Sequence, residues 1–353
     1  MKKKIILSTL LLVQILIVNL LSFFPDFVER YYSNGLYQYI SKGSRIFFGL
    51  FGFSIGDIIY GIVIFFIIKW IWKTRKTWRQ QYKNNILTVL SFCSVFYFLF
   101  YLLWATNYHR VPLNEKMGFE KKYTEEELVS FTERLITKAN QMHLQIVKDD
   151  STKVVNPYTV QQIYGMALNG YEKLSQTYPD FTYKRESVKS SLISTPLSYM
   201  GFGGYLNPFT NEAQVNYNLP LYNYPTTTCH EMSHQLGYAS ESEANFIGYM
   251  ASIYNTDLYF KYSGYVFALK YCMRNIEKLD EKKAESMLPL INKGILLNFK
   301  ESQEFNDRYS SFIEVIFKGF YDNYLKLNHQ KDGLETYSKF VGYLVNYYKE
   351  KDL

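Results

Sequence analysis

The sequence predicts an α+β protein that is mainly α-helical, with three apolar helices at the N-terminus, a small sheet and a helical C-terminal part. Three long apolar stretches occupy the first 106 residues, apolar residues recur at helical spacing through much of the remainder, and one short segment alternates like a strand. The chain has 353 residues, of which 48% are apolar. This is enough to bury a sizeable core, so the composition excludes a disordered chain.

The three apolar stretches, at about residues 5–24, 51–72 and 86–106, are each close to the length that a helix needs to cross a bilayer, about 20 residues. A basic start and an apolar run also characterise signal peptides, but the first stretch is long and ends in Phe23-Phe24-Pro25 rather than in small residues, which favours an uncleaved anchor. Burial in a large soluble core is the weaker alternative, because three such stretches occur. Asp57 is the only acidic residue in them and is expected at the membrane interface, with a functional carboxylate inside the membrane as the alternative.

The distribution of basic residues predicts the orientation. Three lysines precede the first stretch and five basic residues with no acidic one lie in loop 73–85, and such segments are typical of the cytoplasmic side. We therefore predict a multi-pass protein of the bacterial inner membrane with a cytoplasmic N-terminus and an outside loop at 25–50. Residues 1–106 would form the membrane domain, in contact with the lipid bilayer, and residues 107–353 an extracytoplasmic domain.

The net charge of +7 does not indicate nucleic-acid binding. Residues 1–106 hold 12 basic and three acidic residues of the 39 and 32 in the chain, which leaves 27 basic and 29 acidic residues in the remainder. The three cysteines, at positions 93, 229 and 272, are too few and too far apart for a disulfide framework or a cysteine zinc site. Any metal would need histidine and carboxylate ligands.

Local patterns place several elements after residue 107. Thr124 and Glu127 form a capping-box pattern that predicts a helix over 124–145, and a second helix is expected over 159–176. Apolar and polar residues alternate over 213–219, which predicts a strand with one buried face. Further helices are expected at about 303–327 and 333–349.

The chemistry is indicated by His230-Glu231-Met232-Ser233-His234, an H-E-x-x-H pattern. On a helix, two histidines four residues apart share one face and can hold one Zn²⁺, with the glutamate beside it as general base for an attacking water. A catalytic zinc needs a third protein ligand. Gly237 can end the helix in a left-handed turn, which would let Glu241 return to the metal; Glu243 is the competing third ligand.

These residues carry a resemblance. H-E-x-x-H followed by Glu241-Ser-Glu-Ala-Asn245 resembles the glutamate zincins, or gluzincins, a class of zinc metallopeptidases. The resemblance implies a zincin-like domain over 107–353 with His230, His234 and Glu241 as zinc ligands, Glu231 as base and Asn245 supporting a ligating histidine. The departures are asparagine at 245 in place of the commoner aspartate and a short gap between His234 and Glu241. The whole chain also resembles an uncharacterised family of bacterial multi-pass membrane proteins.

The resemblance implies two further features. Gluzincins often use a later tyrosine or histidine to stabilise the oxyanion, for which Tyr324, His329 and Tyr337 are candidates. Zincins also place an edge strand beside the bound peptide. The 213–219 strand precedes H-E-x-x-H, where that edge strand would lie. The equal alternative is that residues 213–219 belong to an ordinary hairpin of the core.

Two functions remain open at the level of sequence. The first is a membrane-anchored zinc metallopeptidase that hydrolyses peptide bonds of cell-envelope polypeptides, with a peptide or protein as substrate and no nucleic-acid partner. The second is a non-catalytic membrane protein that uses the zincin-like domain for binding or envelope structure. Proteolysis within the membrane is disfavoured because H-E-x-x-H lies far beyond the third apolar stretch. The sequence does not indicate an oligomeric state.

Overall fold

The computed structural model describes residues 1–327 and 336–353 and has the predicted α+β, mainly α architecture. A π-helical segment, Val28–Leu36, and several one-turn 3₁₀ segments complete the described helices. The α-helices are α1 Lys2–Leu21, α2 Pro25–Phe27, α3 Tyr37–Phe48, α4 Ile55–Thr74, α5 Tyr82–Leu103, α6 Leu113–Met117, α7 Glu125–Val147, α8 Val160–Thr177, α9 Ser194–Met200, α10 Tyr224–Gln235, α11 Glu241–Tyr254, α12 Leu258–Leu279, α13 Glu281–Met287, α14 Lys293–Tyr309, α15 Phe312–Leu327 and α16 Thr336–Tyr347. The strands are β1 Val188–Ser190, β2 Gly204–Leu206 and β3 Ala213–Val215.

Helices α1, α4 and α5 correspond to the three predicted apolar stretches, and each is long and apolar enough to cross a membrane. Most of their side chains face outward, which indicates membrane association. Helices α1 and α5 pack side by side, and the Lys4 Nζ atom donates hydrogen bonds to Asn84 and Thr88 at 2.8 Å each. The first residues of both helices therefore lie at the same end of the pair.

The segment 25–50, predicted to be a loop, is largely helical. In α3 the buried side chains are Tyr37, Ser41 and Arg45, at a spacing of four residues. The buried stripe of this helix is mostly polar, so a search for apolar periodicity does not find it. These side chains contact the remainder of the protein rather than solvent.

The core after residue 107 is built from α7, α8, α10, α11, α12 and α16. The predicted capping box is present at the start of α7, where Thr124 accepts from the Glu127 backbone N–H and the Glu127 carboxylate accepts from the Thr124 N–H. The helix predicted over 303–327 is instead two helices, α14 and α15, which separate at Ser310 and Ser311.

The predicted strand at 213–219 is shorter and is not an edge strand. The order in the three-stranded sheet is β1-β3-β2, with β3 parallel to β1 and antiparallel to β2. All three residues of β3 are buried because the strand is central, and the apparent alternation beyond Val215 belongs to a turn in which Asn216 accepts from the Asn218 N–H. Strands β2 and β3 are antiparallel, as the core-hairpin alternative predicts. Among the described residues, the edge strand next to β3 on this side of the sheet is β2.

The sheet is attached directly to the start of α4. The Glu212 carboxylate accepts hydrogen bonds from the backbone N–H groups of Ile55 and Gly56, at 3.2 and 2.6 Å. Asp57, in the first turn of α4, accepts from Ser191 Oγ at 3.0 Å and from the Leu192 N–H at 2.8 Å. A carboxylate satisfies unpaired N–H groups at a helix N-terminus, so these contacts fix the sheet to this end of α4.

Candidate metal centre

The two histidines of H-E-x-x-H lie on α10, one turn apart, and their imidazole rings are nearly perpendicular, with centroids 4.8 Å apart. Their Nε2 atoms are 3.1 Å apart. The Nδ1 atom of His234 lies 2.7 Å from the Tyr238 carbonyl oxygen, to which an Nδ1–H donates. In this tautomer the Nε2 atom of neutral His234 carries a lone pair that points toward His230.

The chain turns sharply after α10 and returns to the histidines. Gly237 has φ of +87°, as the sequence predicts for a left-handed helix end, and its N–H donates to the His234 carbonyl. A new helix, α11, begins at Glu241. The Glu241 carboxylate oxygens lie 3.3 Å from His230 Nε2 and 3.7 Å from His234 Nε2.

The two imidazole nitrogens and the Glu241 carboxylate have spacings close to those of ligands around a tetrahedral zinc ion. Bonds of 2.0–2.1 Å in a tetrahedron place ligand atoms about 3.3 Å apart. The two Nε2 atoms are 3.1 Å apart, Glu241 Oε2 lies 3.3 Å from His230 Nε2, and the other carboxylate oxygen, Oε1, lies 3.7 Å from His234 Nε2. Glu231 forms a wider group with the histidines, with ligand atoms up to 4.8 Å apart. The better-fitting set is therefore His230, His234 and Glu241, with Glu231 beside it.

The other candidate for third ligand, Glu243, lies elsewhere. Its Oε1 atom accepts from the Leu113 N–H at 2.7 Å, and its charge interacts with Arg110 and Lys116. Glu243 therefore supports the segment after α5, and only Glu241 of the two candidates reaches the histidines. The role of Glu241 as a metal ligand stays a prediction.

Glu231 is buried against the sheet. A Cβ atom added to Gly204 of β2 would lie 2.5 Å from Glu231 Oε1, so the strand backbone passes directly beside this carboxylate. The Oε2 atom is buried and has no hydrogen-bond partner among the described residues. Burial raises the pKa of Glu231 to about 8. A buried carboxyl with a free oxygen and a shifted pKa, beside two imidazoles, is a candidate for proton transfer.

The charges of the site favour a cation where the three ligand atoms meet. Burial lowers the pKa of His230, but the Glu241 hydrogen bond and the charges of Glu231 and Glu241 outweigh it and raise the pKa overall. For Glu241 the effect of burial is likewise outweighed by the two histidines and Tyr321, and its pKa falls to about 2. Burial lowers the pKa of His234 to about 4, so one imidazole stays neutral.

Helix α11 packs tightly against the histidines. The Asn245 side chain lies close enough to His230 to raise the pKa of this histidine, at the position where the resemblance implies a supporting residue. A Cβ added to Gly248 would lie 2.8 Å from the His230 backbone nitrogen and 2.9 Å from its Cα atom. Glycine at this position therefore allows the two helices to approach closely.

Tyr321 of α15 reaches the site and was not among the residues predicted from sequence. Its hydroxyl donates to Glu241 Oε1 at 2.5 Å. Of the three predicted oxyanion residues, His329 lies outside the described residues. Tyr324 and Tyr337 lie on α15 and α16, but their side chains are also outside the described part, so these roles stay predictions. Only the folded position of α15 distinguishes Tyr321 among 34 tyrosines.

Residues from the N-terminal 106 hold the end of α10. The Tyr37 hydroxyl and Ser41 Oγ donate to the Gln235 carbonyl oxygen at 3.1 and 2.7 Å, and Trp104 Nε1 donates to the His234 carbonyl oxygen at 3.2 Å. The last carbonyls of a helix lack intrahelical partners, and here these side chains supply them. The position of His234 therefore depends on α3 and on the residue that follows α5.

The fold and the site define a class: a mainly helical, membrane-associated α+β protein with a partly buried His-His-Glu cluster between two helices. The chain matches the sequence profile of the family described as Protein of unknown function (DUF3810) over residues 32–345, and it belongs to that family. No curated protein and no solved structure matches the chain.

Proposed function

We propose that this protein is a membrane-anchored, gluzincin-like zinc metallopeptidase that hydrolyses peptide bonds of cell-envelope polypeptides. The observation that carries the proposal is the convergence of His230, His234 and Glu241, whose ligand atoms are 3.1–3.7 Å apart. Two imidazoles and a carboxylate are a ligand set that suits a catalytic zinc and leave one position open. In the proposed topology the chain crosses the bacterial inner membrane three times with a cytoplasmic N-terminus, and the site lies outside the cytoplasm.

Each residue has a distinct role in the proposed reaction. Zinc, when bound, would act as a Lewis acid and lower the pKa of water. Glu231 takes the proton of the attacking water and passes it to the leaving amine, for which its unpartnered Oε2 supports the assignment. Tyr321 donates a hydrogen bond to the negative oxygen that develops on the substrate carbonyl, after leaving Glu241.

The edge of β2 is the proposed binding place for the substrate backbone. In the described part of the chain β2 pairs with β3 on one side only, and its Gly204 lies against Glu231. An extended peptide that pairs with this edge would pass beside the base. Such pairing uses main-chain groups and imposes little sequence preference.

The test of the metal site is the zinc content of the purified full chain in detergent, measured by elemental mass spectrometry. We expect about one zinc per chain in the wild type and in Glu243→Gln, and its loss in Glu241→Gln. Glu243 is the matched control because it is buried two residues away but bonds to Leu113 instead. Absence of zinc from the wild type after supply of the metal would overturn the proposal.

The test of catalysis compares the zinc-loaded wild type with Glu231→Gln on a peptide library, with products read by mass spectrometry. We expect cleavage by the wild type and a loss of at least 100-fold in the variant, with zinc retained. Equal product from both proteins would contradict the role of Glu231. A zinc-loaded wild type that cleaves nothing would favour the non-catalytic binding or structural function.

A further inference from the structure

Helix α15 has an exposed apolar face that the described protein does not cover. Phe312, Val315, Ile316 and Phe320 are exposed to 75%, 72%, 61% and 69%. Their spacing of three, four and eight residues from Phe312 places them on one side of the helix. Four adjacent large apolar side chains at this exposure are unusual for a surface in contact with water.

The opposite face of α15 is fixed to the protein. Leu325 is fully buried and, with Tyr321, belongs to an apolar cluster that includes Phe100 and Trp104. Near the start of the helix, the Glu314 side chain would lie 3.2–3.5 Å from a Cβ added to Gly201. The helix therefore cannot rotate its apolar face inward without breaking these contacts.

These contacts place α15 beside the ends of two membrane-length helices. Trp104 directly follows α5, so the cluster around Leu325 lies at the C-terminal end of α5. Helix α15 also packs along α9. The residue Leu192, two positions before α9, donates its N–H to Asp57 in the first turn of α4. If α4 and α5 cross a bilayer in opposite directions, the N-terminal end of α4 and the C-terminal end of α5 lie at the same side of it.

We propose that α15 lies in the membrane–water interface, with Phe312, Val315, Ile316 and Phe320 in contact with the lipids of the bilayer that α1, α4 and α5 cross. The inference rests on the three-span arrangement proposed above and does not depend on zinc or catalysis. Lipid is the occupant because α15 is held at the ends of α4 and α5, where Leu192, bonded to Asp57 of α4, is another apolar side chain left 57% exposed. An amphipathic helix parallel to the bilayer with large apolar side chains on one face is the usual form of such a contact.

The lipid contact has a consequence for the site. Tyr321 projects from the opposite side of the same helix and hydrogen bonds to Glu241. Lipid that holds the apolar face therefore also holds Tyr321 beside the histidines. The bilayer becomes a structural partner of the metal centre through one helix.

The test is the depth of fluorescent labels in the full chain reconstituted in lipid nanodiscs. Cys93 is exposed and is replaced by serine, while Cys229 and Cys272 are buried and stay unreactive. Single cysteines are introduced by Phe312→Cys and Phe320→Cys. The lipid-facing control is Phe65→Cys in α4, and the water-facing control is Leu279→Cys at the end of α12, both at positions 59% exposed.

We expect nitroxide-bearing lipids to quench the labels at 312 and 320 at least half as strongly as at 65, and aqueous iodide to quench mainly the label at 279. If iodide quenches the labels at 312 and 320 as strongly as the label at 279, the proposal is overturned. Protection from both quenchers, with energy transfer between chains, would overturn it in favour of a second copy on this face. Zinc content of the same nanodiscs is measured in parallel, so a chain that lacks zinc but keeps lipid quenching contradicts only the proposed function.

Discussion

The Arg110 guanidinium donates a hydrogen bond to the Gly237 carbonyl oxygen over 3.0 Å, and so joins the segment after α5 to the turn between the two helices of the metal centre. The same guanidinium forms a bidentate pair with Glu29, at 2.9 and 2.7 Å, and lies 4.1 Å from the Tyr238 ring centroid. Lys116 also contacts Glu29 at 2.7 Å. A buried ion cluster thus connects residues near the first span to the turn that returns Glu241.

The first prediction concerns the acid stability that this cluster provides. Burial alone would raise the pKa of Glu29, but the hydrogen bonds and charges of Arg110 and Lys116 outweigh burial and lower it from 4.5 to about 2. The stabilisation is therefore complete above pH 4.5 and is lost as the pH falls toward 2. We expect Glu29→Gln to lower the free energy of unfolding at neutral pH by about 3 kcal/mol, since it leaves the buried Arg110 guanidinium without its carboxylate and Lys116 with only Asp180.

Thermal unfolding of wild type and variant in detergent, measured from pH 7 to pH 2, checks this prediction. The difference between the two proteins should shrink as the pH falls from 4.5 toward 2, because the Glu29 carboxyl of the unfolded wild type then takes up a proton while that of the folded protein stays charged until about pH 2. Glu133→Gln, at a carboxylate that is half exposed in a 3.8 Å pair with Lys283, should show no such difference. A gap between wild type and Glu29→Gln that stays constant with pH would refute the assignment.

The second prediction concerns the hydroxyl of Tyr37, which donates to Gln235 at the end of α10 and accepts from Asn211 Nδ2 at 2.8 Å. Tyr37→Phe leaves the buried Asn211 amide without this acceptor, while the Gln235 carbonyl keeps Ser41, and should cost about 1–3 kcal/mol. Tyr39→Phe is the control, because Tyr39 lies on the same helix and is 79% exposed. Denaturant unfolding should separate the two variants, and equal stabilities would show that the Tyr37 contact contributes nothing.

The third prediction concerns the close approach of α10 and α11. Gly248→Ala would place a methyl group 2.8 Å from the His230 backbone nitrogen, where neither helix has room. We expect a loss of about 1–3 kcal/mol and weaker zinc binding, because His230 must move. Gly165→Ala in α8 has nothing within 4 Å of the new methyl group and should stabilise the protein by about 0.5–1 kcal/mol. Zinc titration and thermal unfolding measure both effects, and unchanged zinc affinity in Gly248→Ala would contradict the packing argument.

The fourth prediction concerns Tyr321. Tyr321→Phe removes the hydroxyl that donates to Glu241, and loss of such an outer hydrogen bond lowers metal affinity or activity by about 10–100-fold. Tyr178→Phe removes a hydroxyl from the Tyr178–Tyr347 pair, 2.6 Å apart in the C-terminal core, and controls for a general loss of stability. Competition with a zinc chelator and the rate of peptide cleavage are the readouts. Similar zinc affinities and cleavage rates for both variants would show that Tyr321 has no specific role in the site.

The sequence predicted those features that depend on local patterns. The three apolar helices, the capping box at Thr124 and the left-handed end of α10 at Gly237 each follow from a few neighbouring residues, and all are present. The return of Glu241 toward the histidines could also be anticipated, because the glycine limits how the chain leaves the helix. Such features need no knowledge of distant contacts.

Features that depend on tertiary contacts were missed. Helix α3 buries Tyr37, Ser41 and Arg45 against partners 140 or more residues away, and its polar stripe resembles a solvated loop in the sequence. The resemblance leaves an edge position open to the 213–219 strand, with a core hairpin as the equal alternative; β1 pairs with the strand from a distant position and makes it central. Tyr321 reaches Glu241 across 80 residues of chain, and no local pattern indicates such an approach.

The capping of His234 and Gln235 by Tyr37, Ser41 and Trp104 also agrees with the order of biosynthesis. Synthesis runs from the N-terminus, so these three residues are made before the helix end that they hold. A chain shortened to begin at residue 107 would lack all three donors. The geometry of the candidate metal centre therefore depends on residues that are made well before its own.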